Sequence, residues 1–161
     1  MEFVVRRAEV SDAAAACETI RRSIVELCVA DHAHDPDILA RWLASKTPEN
    51  VADWFANPQN HCVVAVAAEP FAILGVAIIR RPGEITLNYV SPDVRFSGVS
   101  GAMLAALEDI ARRHRWPDAT LISTTTARRF YRGRGYMEAG PPVNLFGASR
   151  SFPMRKMLRD G

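Results

Sequence analysis

The sequence predicts an α/β (α+β) fold in which a central mixed sheet carries helices on both faces. Three observations lead there. Apolar residues recur at helical spacing through the N-terminal third, a meander of β-rich apolar runs follows up to residue 90, and helical and strand patterns alternate from residue 99 onward. Helices on either side of a strand group in this order call for a sheet covered on two faces.

The elements follow in turn. Residues 3–6, Phe-Val-Val-Arg, read as a short first strand. Ser11-Asp12 is expected to supply a helix N-cap and a first-turn acid, after which Cys17, Ile20, Ile24 and Leu27 recur at helical spacing. Residues 30–36 break that pattern, and residues 37–45 resume it with Ile38, Leu39, Trp42 and Leu43. Thr47 as cap, with Pro48 at the first helical position, opens another short helix that Asn57-Pro58 closes. Residues 62–67 and 72–79 are apolar runs separated by Glu69-Pro70, which predicts a hairpin. Pro82-Gly83 marks a turn, and residues 84–90 alternate as a further strand. Residues 99–113 form the strongest helical pattern, with Val99, Met103, Ala106, Leu107 and Ile110 on one face and a basic last turn that suits the helix dipole. Residues 120–124 read as a strand, 127–134 as a short helix, and 136–139 and 152–158 as closing strands around a loop at Gly140-Pro141-Pro142. Repeats, low-complexity tracts and linkers are lacking, so residues 1–161 are expected to form a single domain.

Composition narrows the class. Hydrophobic residues at 48% and charged residues at 24% are the balance of a globular chain and argue against disorder. Twenty Lys+Arg against eighteen Asp+Glu give a net charge of only +2, so the chain lacks overall basicity even though arginines cluster locally (Arg112, Arg113, Arg115; Arg128, Arg129, Arg132, Arg134). A nucleic-acid partner is therefore not expected. Cys17, Cys28 and Cys62 are too scattered for a disulfide framework, which points to free thiols and a reducing compartment. The chain starts without a signal-like apolar stretch and has no window near the ~18 apolar residues of a membrane span. A cytoplasmic location without membrane attachment is the expectation. Oligomeric state, monomer or homodimer, is not readable.

The most informative segment is Val90-Ser91-Pro92-Asp93-Val94-Arg95-Phe96-Ser97-Gly98-Val99-Ser100-Gly101. A strand ends near Val90, Pro92 stops ladder pairing, and a helix begins near Val99. The turn between them presents consecutive backbone N–H groups at the positive end of a helix, an arrangement suited to an anion. Gly98 and Gly101 permit close approach, and Arg95 either fixes the turn or meets a phosphate. The alternative is an ordinary tight turn capping a core helix.

Here the chain resembles the GNAT acetyltransferases, whose signature at a strand–helix junction is Arg/Gln-x-x-Gly-x-Gly/Ala. The match is Arg95-Phe96-Ser97-Gly98-Val99-Ser100, with Ser100 where Gly or Ala is usual and Phe96 where many members have Gly. Val90-Ser91-Pro92 is similar to the family's fourth strand and its bulge. Ala127-Arg128-Arg129-Phe130-Tyr131-Arg132-Gly133-Arg134-Gly135-Tyr136 looks like the family's second motif, with Thr124 where an Asn often precedes it. The resemblance implies a mostly antiparallel mixed sheet and an N-acetyltransferase that moves an acetyl group from acetyl-coenzyme A to a primary amine by direct attack in a ternary complex. It implies acetyl-CoA as cosubstrate, no metal, and an amine acceptor that the residues do not identify. The implied coenzyme-binding residues are Val90, Arg95, Phe96, Ser97, Gly98, Val99, Ser100, Gly101 and Thr124, with the Val90 N–H facing the thioester carbonyl. Tyr131 is the implied general acid for the leaving thiolate; packing on the sheet is its alternative role. A coenzyme A-binding sensor or interaction module with little catalysis is the alternative function, kept open by Ser100 and Thr124.

The general base is left open among Glu84, Glu26, Asp31, His32, His34 and a water chain. Asp31-His32-Ala33-His34-Asp35 packs imidazoles and carboxylates together, yet its spacing fits no zinc template, and acceptor-site lining or loop polarity is the preferred reading. Trp42 and Trp54 are read as core or pocket wall. Arg128, Arg129, Arg132 and Arg134 are read as either ribose-phosphate ligands or a solvated helix face.

Overall fold

The computed structural model describes residues 2–145 and 150–158. Strand β1 (Val4–Arg7) leads into a 3-10 turn and helix α1 (Ala13–Leu27). Asp12 does not cap α1 with its side chain, as the sequence suggested. Its buried carboxylate instead accepts the Glu9 N–H at 2.8 Å and pairs with both Arg6 terminal nitrogens at 2.8 and 3.0 Å. The break after α1 holds a single-turn helix α2 (Val29–His32), after which the chain reverses through left-handed Ala33 and His34. Asp35 then caps α3 (Pro36–Leu43) by accepting the Asp37 and Ile38 N–H groups, and Thr47 caps α4 (Pro48–Ala56) by accepting that of Asn50.

The sheet is built from β1, β2 (Asn60–Ala68), β3 (Phe71–Arg80), β4 (Glu84–Val90), β5 (Asp118–Ser123), β6 (Met137–Glu138) and β7 (Phe152–Met157). Its order is β1-β2-β3-β4-β5-β7-β6, and every pairing is antiparallel except β4 with β5. Helices cover both faces, as the element order requires. On one side Ile20, Ile24, Trp42 and Val51 pack on Val64, Val76, Ile78 and Leu87. On the other, helix α5 (Val99–Arg113) sets Met103, Leu104 and Leu107 on Val63, Ala77, Ile79 and Leu121, and helix α6 (Arg128–Arg132) adds Tyr131. Gly75 allows this close seating, because a Cβ there would lie 2.5 Å from the Met103 Cε. Strand β6 is shorter than the sequence suggested. Tyr136 leaves the strand for the core, where its hydroxyl donates to Glu108 at 2.9 Å. Among the described residues no helix is long and apolar enough to cross a membrane.

Two irregularities position the site. Between Ile78↔Leu87 and Ile79↔Ile85 the register slips, leaving Thr86 as an extra residue on β4. That bulge sends Ile85 into the α5-side core while Leu87 and Tyr89 face the α1 side, so Asn88 and Val90 share the face of Tyr131. The second irregularity is that β4 and β5 pair only at Glu84↔Thr120 and Ile85↔Leu121. Beyond Ile85 the two strands diverge.

Candidate functional site

The divergence of β4 and β5 opens a cavity of about 560 Å³ that reaches from the end of α1 (Ser23, Leu27) to the start of α5. Its walls include Val90, Arg95, Phe96, Ser97, Gly98, Val99, Ser100, Gly101, Thr124 and Tyr131, so the residues expected to meet the coenzyme and Tyr131 surround one space. Strand geometry orients the Val90 amide. The Ser91 N–H bonds to Leu74 O on the β3 side at 2.7 Å, and N–H groups alternate between strand edges, so the Val90 N–H points to the open side.

The turn after β4 is shaped by two left-handed residues, Phe96 (φ 64°) and Gly98 (φ 87°). Ala102 is the first residue whose N–H enters the helical ladder, at Gly98 O, so the Val99, Ser100 and Gly101 N–H groups stand ahead of it at the start of a 15-residue helix. Around Gly98 nothing lies within 4 Å of where a Cβ would sit, leaving room for an anion against the helix end. Ser100 keeps its amide in this row, so the departure from Gly or Ala does not interrupt it. Phe96 is 92% exposed, with the Arg95 guanidinium over its ring at 4.6 Å, so its part in the cavity is at the rim.

Of the second arginine cluster, Arg128 and Arg132 pair with Glu138 at 3.0 and 2.6 Å, whereas Arg134 lines the cavity. Arg134 lies over the Phe130 ring at 4.0 Å and against Gly101, where a Cβ would come within 2.8 Å of its Nη2. Sequence reasoning did not separate Arg134 from its neighbours; the missing signal was the space that Gly101 leaves on the first turn of α5. Thr124 accepts the Ala127 N–H at 3.1 Å, which orders the approach to α6 while leaving the hydroxyl proton free to donate.

Tyr131 is buried, packed edge-on against Phe130 and Tyr136 at 5.1 and 5.5 Å. Burial pushes its phenol up to about 12, and the Asn88 Nδ2 donor, 3.3 Å from its oxygen, acts in the opposite direction. Asn88 also lines the cavity, and its buried Oδ1 has no donor among the described residues. The sequence signal for Asn88 was present but unused: asparagine is depleted in strands, yet here it stands in the middle of one, two residues before Val90.

A second cavity of about 540 Å³ lies across the split, lined by Ile38, Trp42, Lys46, Glu84 and Thr120 among others. Ile85, Thr86, Leu87, Tyr89, Leu121, Ile122 and Thr124 border both cavities, so the two spaces meet at the split. Of the five base candidates, only Glu84 and Asp31 line this second cavity. Asp31 is fully engaged. Its buried carboxylate accepts the Thr125 N–H at 2.6 Å, the Thr126 N–H at 3.2 Å and the Thr126 hydroxyl at 2.5 Å, clamping the turn after β5. The His32 ring lies within hydrogen-bond distance of Ile24 O and Val25 O through Nε2 and accepts the His34 N–H at Nδ1, so both of its nitrogens are occupied. Among the described residues no group of three His, Cys, Asp or Glu side chains is placed to hold a metal ion.

Comparison with known proteins agrees with this arrangement. The family model described as an acetyltransferase (GNAT) domain matches residues 28–158. The chain belongs to the GNAT acetyltransferase family. Among solved structures, a GCN5-related N-acetyltransferase from Rhodopseudomonas palustris superposes on this GNAT chain with a TM-score of 0.84 at 22% identity, covering 98% of this chain and 96% of the other. The PaiA N-acetyltransferase from Thermoplasma acidophilum, solved in complex with coenzyme A, gives a TM-score of 0.81 at 15% identity over 98% of this chain and 99% of that one. At these identities the likeness is one of fold. A search of curated proteins gives no significant match.

Proposed function

We propose that this GNAT chain, residues 1–161 acting as one domain, is an N-acetyltransferase that uses acetyl-CoA to acetylate a primary amine by direct attack in a ternary complex. The observation that carries the reading is the split between β4 and β5: a cavity with an anion-ready helix start on one side opens onto a second cavity on the other. Such a gap lets donor and acceptor meet without a covalent enzyme intermediate.

The bound donor supplies an activated acyl thioester. Val99, Ser100 and Gly101 offer their amides to its pyrophosphate, with Gly98 providing the room and Arg95 and Arg134 the opposing charge. Phe96 and Ser97 form the outer rim of that turn, and the Thr124 hydroxyl faces the pantetheine arm. The Val90 N–H donates to the thioester carbonyl, where negative charge grows as the amine attacks. The new bond runs from amine nitrogen to acyl carbon, and the carbon–sulfur bond breaks. Tyr131 donates a hydrogen bond to the departing sulfur. Full proton transfer from a phenol near 12 to a thiolate of pKa ~8.5 is uphill, so hydrogen bonding to sulfur is the stronger part of its role. Glu84 borders the acceptor cavity, which supports it as the group that takes up an amine proton, directly or through water.

Calorimetric titration with acetyl-CoA, run beside a thiol-release assay over a panel of small amines and peptide N-termini, tests the reading. Binding with turnover on at least one amine is expected. Binding without turnover on any amine would favour the sensor reading, and no binding would sink both.

A further inference from the structure

Asn88 is a polar side chain in the middle of a strand whose neighbours Ile85, Leu87 and Val90 pack into the two cores. The bulge at Thr86 is what brings it to the face of α6, where its Nδ2 lies 3.3 Å from the Tyr131 hydroxyl. Its other polar atom, Oδ1, is buried and has no donor among the described residues. The amide is therefore tied at one end only, and that end is the phenol.

We propose that Asn88 is a positioning residue that decides whether Tyr131 can donate its proton into the donor cavity. The argument is one of hydrogen-bond polarity. An amide N–H can only donate, so it occupies a lone pair of the phenol oxygen and leaves the O–H to find an acceptor elsewhere. Among the described residues no acceptor for that O–H is recorded, and the ring borders the cavity where the sulfur of the donor would lie. If the amide presented Oδ1 instead, the phenol proton would be held by Asn88 and withheld from the cavity. The same N–H stabilises the negative charge that develops on the phenol oxygen as its proton shifts toward sulfur. Phe130 and Tyr136 hold the ring plane through edge contacts, so Asn88 sets the direction of the proton rather than the position of the ring.

This inference rests on the acetyl-transfer reading for its kinetic arm and on geometry alone for its spectroscopic arm. Asn88→Asp places an acceptor-only carboxylate of the same shape against the phenol, and should lower kcat about as far as Tyr131→Phe does, within roughly threefold, with a KM for the donor changed less than about threefold. Asn88→Leu, which removes the donor and adds no acceptor, should lower kcat less than Asn88→Asp. In the Tyr131→Phe background, Asn88→Asp should cost no more than a further twofold, because the phenol it acts through is gone. Independent losses that multiply, or an unchanged kcat in Asn88→Asp while Tyr131→Phe is impaired, would overturn the proposal. The spectroscopic arm labels the three tyrosines with 3-fluorotyrosine and follows each fluorine resonance against pH, with assignment by Phe substitution. The Tyr131 resonance should titrate at higher pH in Asn88→Leu than in the wild-type chain; coincident titrations would overturn the proposal. Should the wild-type protein acetylate no amine, the transfer reading fails on its own, and the fluorine titration still decides the Asn88–Tyr131 pairing.

Discussion

Replacing Asp31 by alanine removes the carboxylate that ties helix α2 to the turn between β5 and α6. Three hydrogen bonds end on it: the Thr125 and Thr126 N–H groups and the Thr126 hydroxyl. The hydroxyl can turn to water in the cavity, but the two amides lose their acceptor at a residue that is only 5% exposed. At about 1–3 kcal/mol for each donor left unpaired, the expected loss is roughly 4 kcal/mol. For a chain of this length that corresponds to a fall of roughly 10 °C in Tm. Urea unfolding followed by circular dichroism measures it directly, with Asp31→Asn as the second variant. The Asn side chain keeps one oxygen acceptor, so its loss should be about half that of alanine. The contrasting role, in which Asp31 takes the proton from the attacking amine, makes an opposite forecast: Asp31→Asn would then be as stable as wild type and nearly inactive. An alanine variant within about 1 kcal/mol of wild type would refute the clamp.

Other perturbations test other parts. Tyr131→Phe is expected to reduce kcat by about 10–100-fold while calorimetry shows the donor Kd changed by less than threefold. Gly83→Ala should destabilise by about 3 kcal/mol or more in urea titrations, since Gly83 holds φ 133° and a Cβ would sit 2.4 Å from the Asp118 carbonyl oxygen, a backbone atom that cannot step aside. Gly101→Ala should leave stability unchanged or raise it by up to ~1 kcal/mol. It should nonetheless weaken donor binding several-fold, because the added methyl displaces the Arg134 guanidinium; equal Kd values in calorimetry would remove Arg134 from the donor site. The Arg6 hydrogen bonds hold the Asp12 carboxyl below the usual carboxylate range. A depressed folded value means the ion pair's stabilisation is present above the unfolded pKa of ~3.9 and is lost as pH falls through the lowered one. Unfolding midpoints of wild type and Asp12→Asn should therefore converge below about pH 4; parallel midpoints down to pH 2 would contradict the assignment.

The periodicities of Ile20 and Ile24, of Met103 and Leu107, and of the runs around Val64 and Ile78 marked the helices and strands because each repeat is also the burial pattern. Capping at Thr47 was legible for the same local reason. Asp12 was misread as a cap because its partner, Arg6, lies on the preceding strand, and an ion pair six residues away leaves no mark in helical spacing. Asp31 shows the limit more sharply. In the chain it sits within a cluster of imidazoles and carboxylates, whereas in space its partners are 94 and 95 residues away. The cavity residues from Val90 to Gly101 were readable because a helix start is a local object. Asn88 and Arg134 were not, since their significance comes from a bulge in one strand and from a missing side chain on another element.

The two rungs that join β4 to β5 have a mechanical consequence. They make the sheet two half-sheets, β1 to β4 and β5-β7-β6, hinged at Glu84 and Ile85, with α5 packed along the first half and touching the second. Sub-global opening would run along this seam, where few ladder bonds resist it. A ligand that bonds to the free edge of β4 on one side and to α6 on the other would stitch the halves together. Such a ligand would carry two effects in a single event: it would fill the cavity, and it would supply the cross-links that the gap between the strands leaves out.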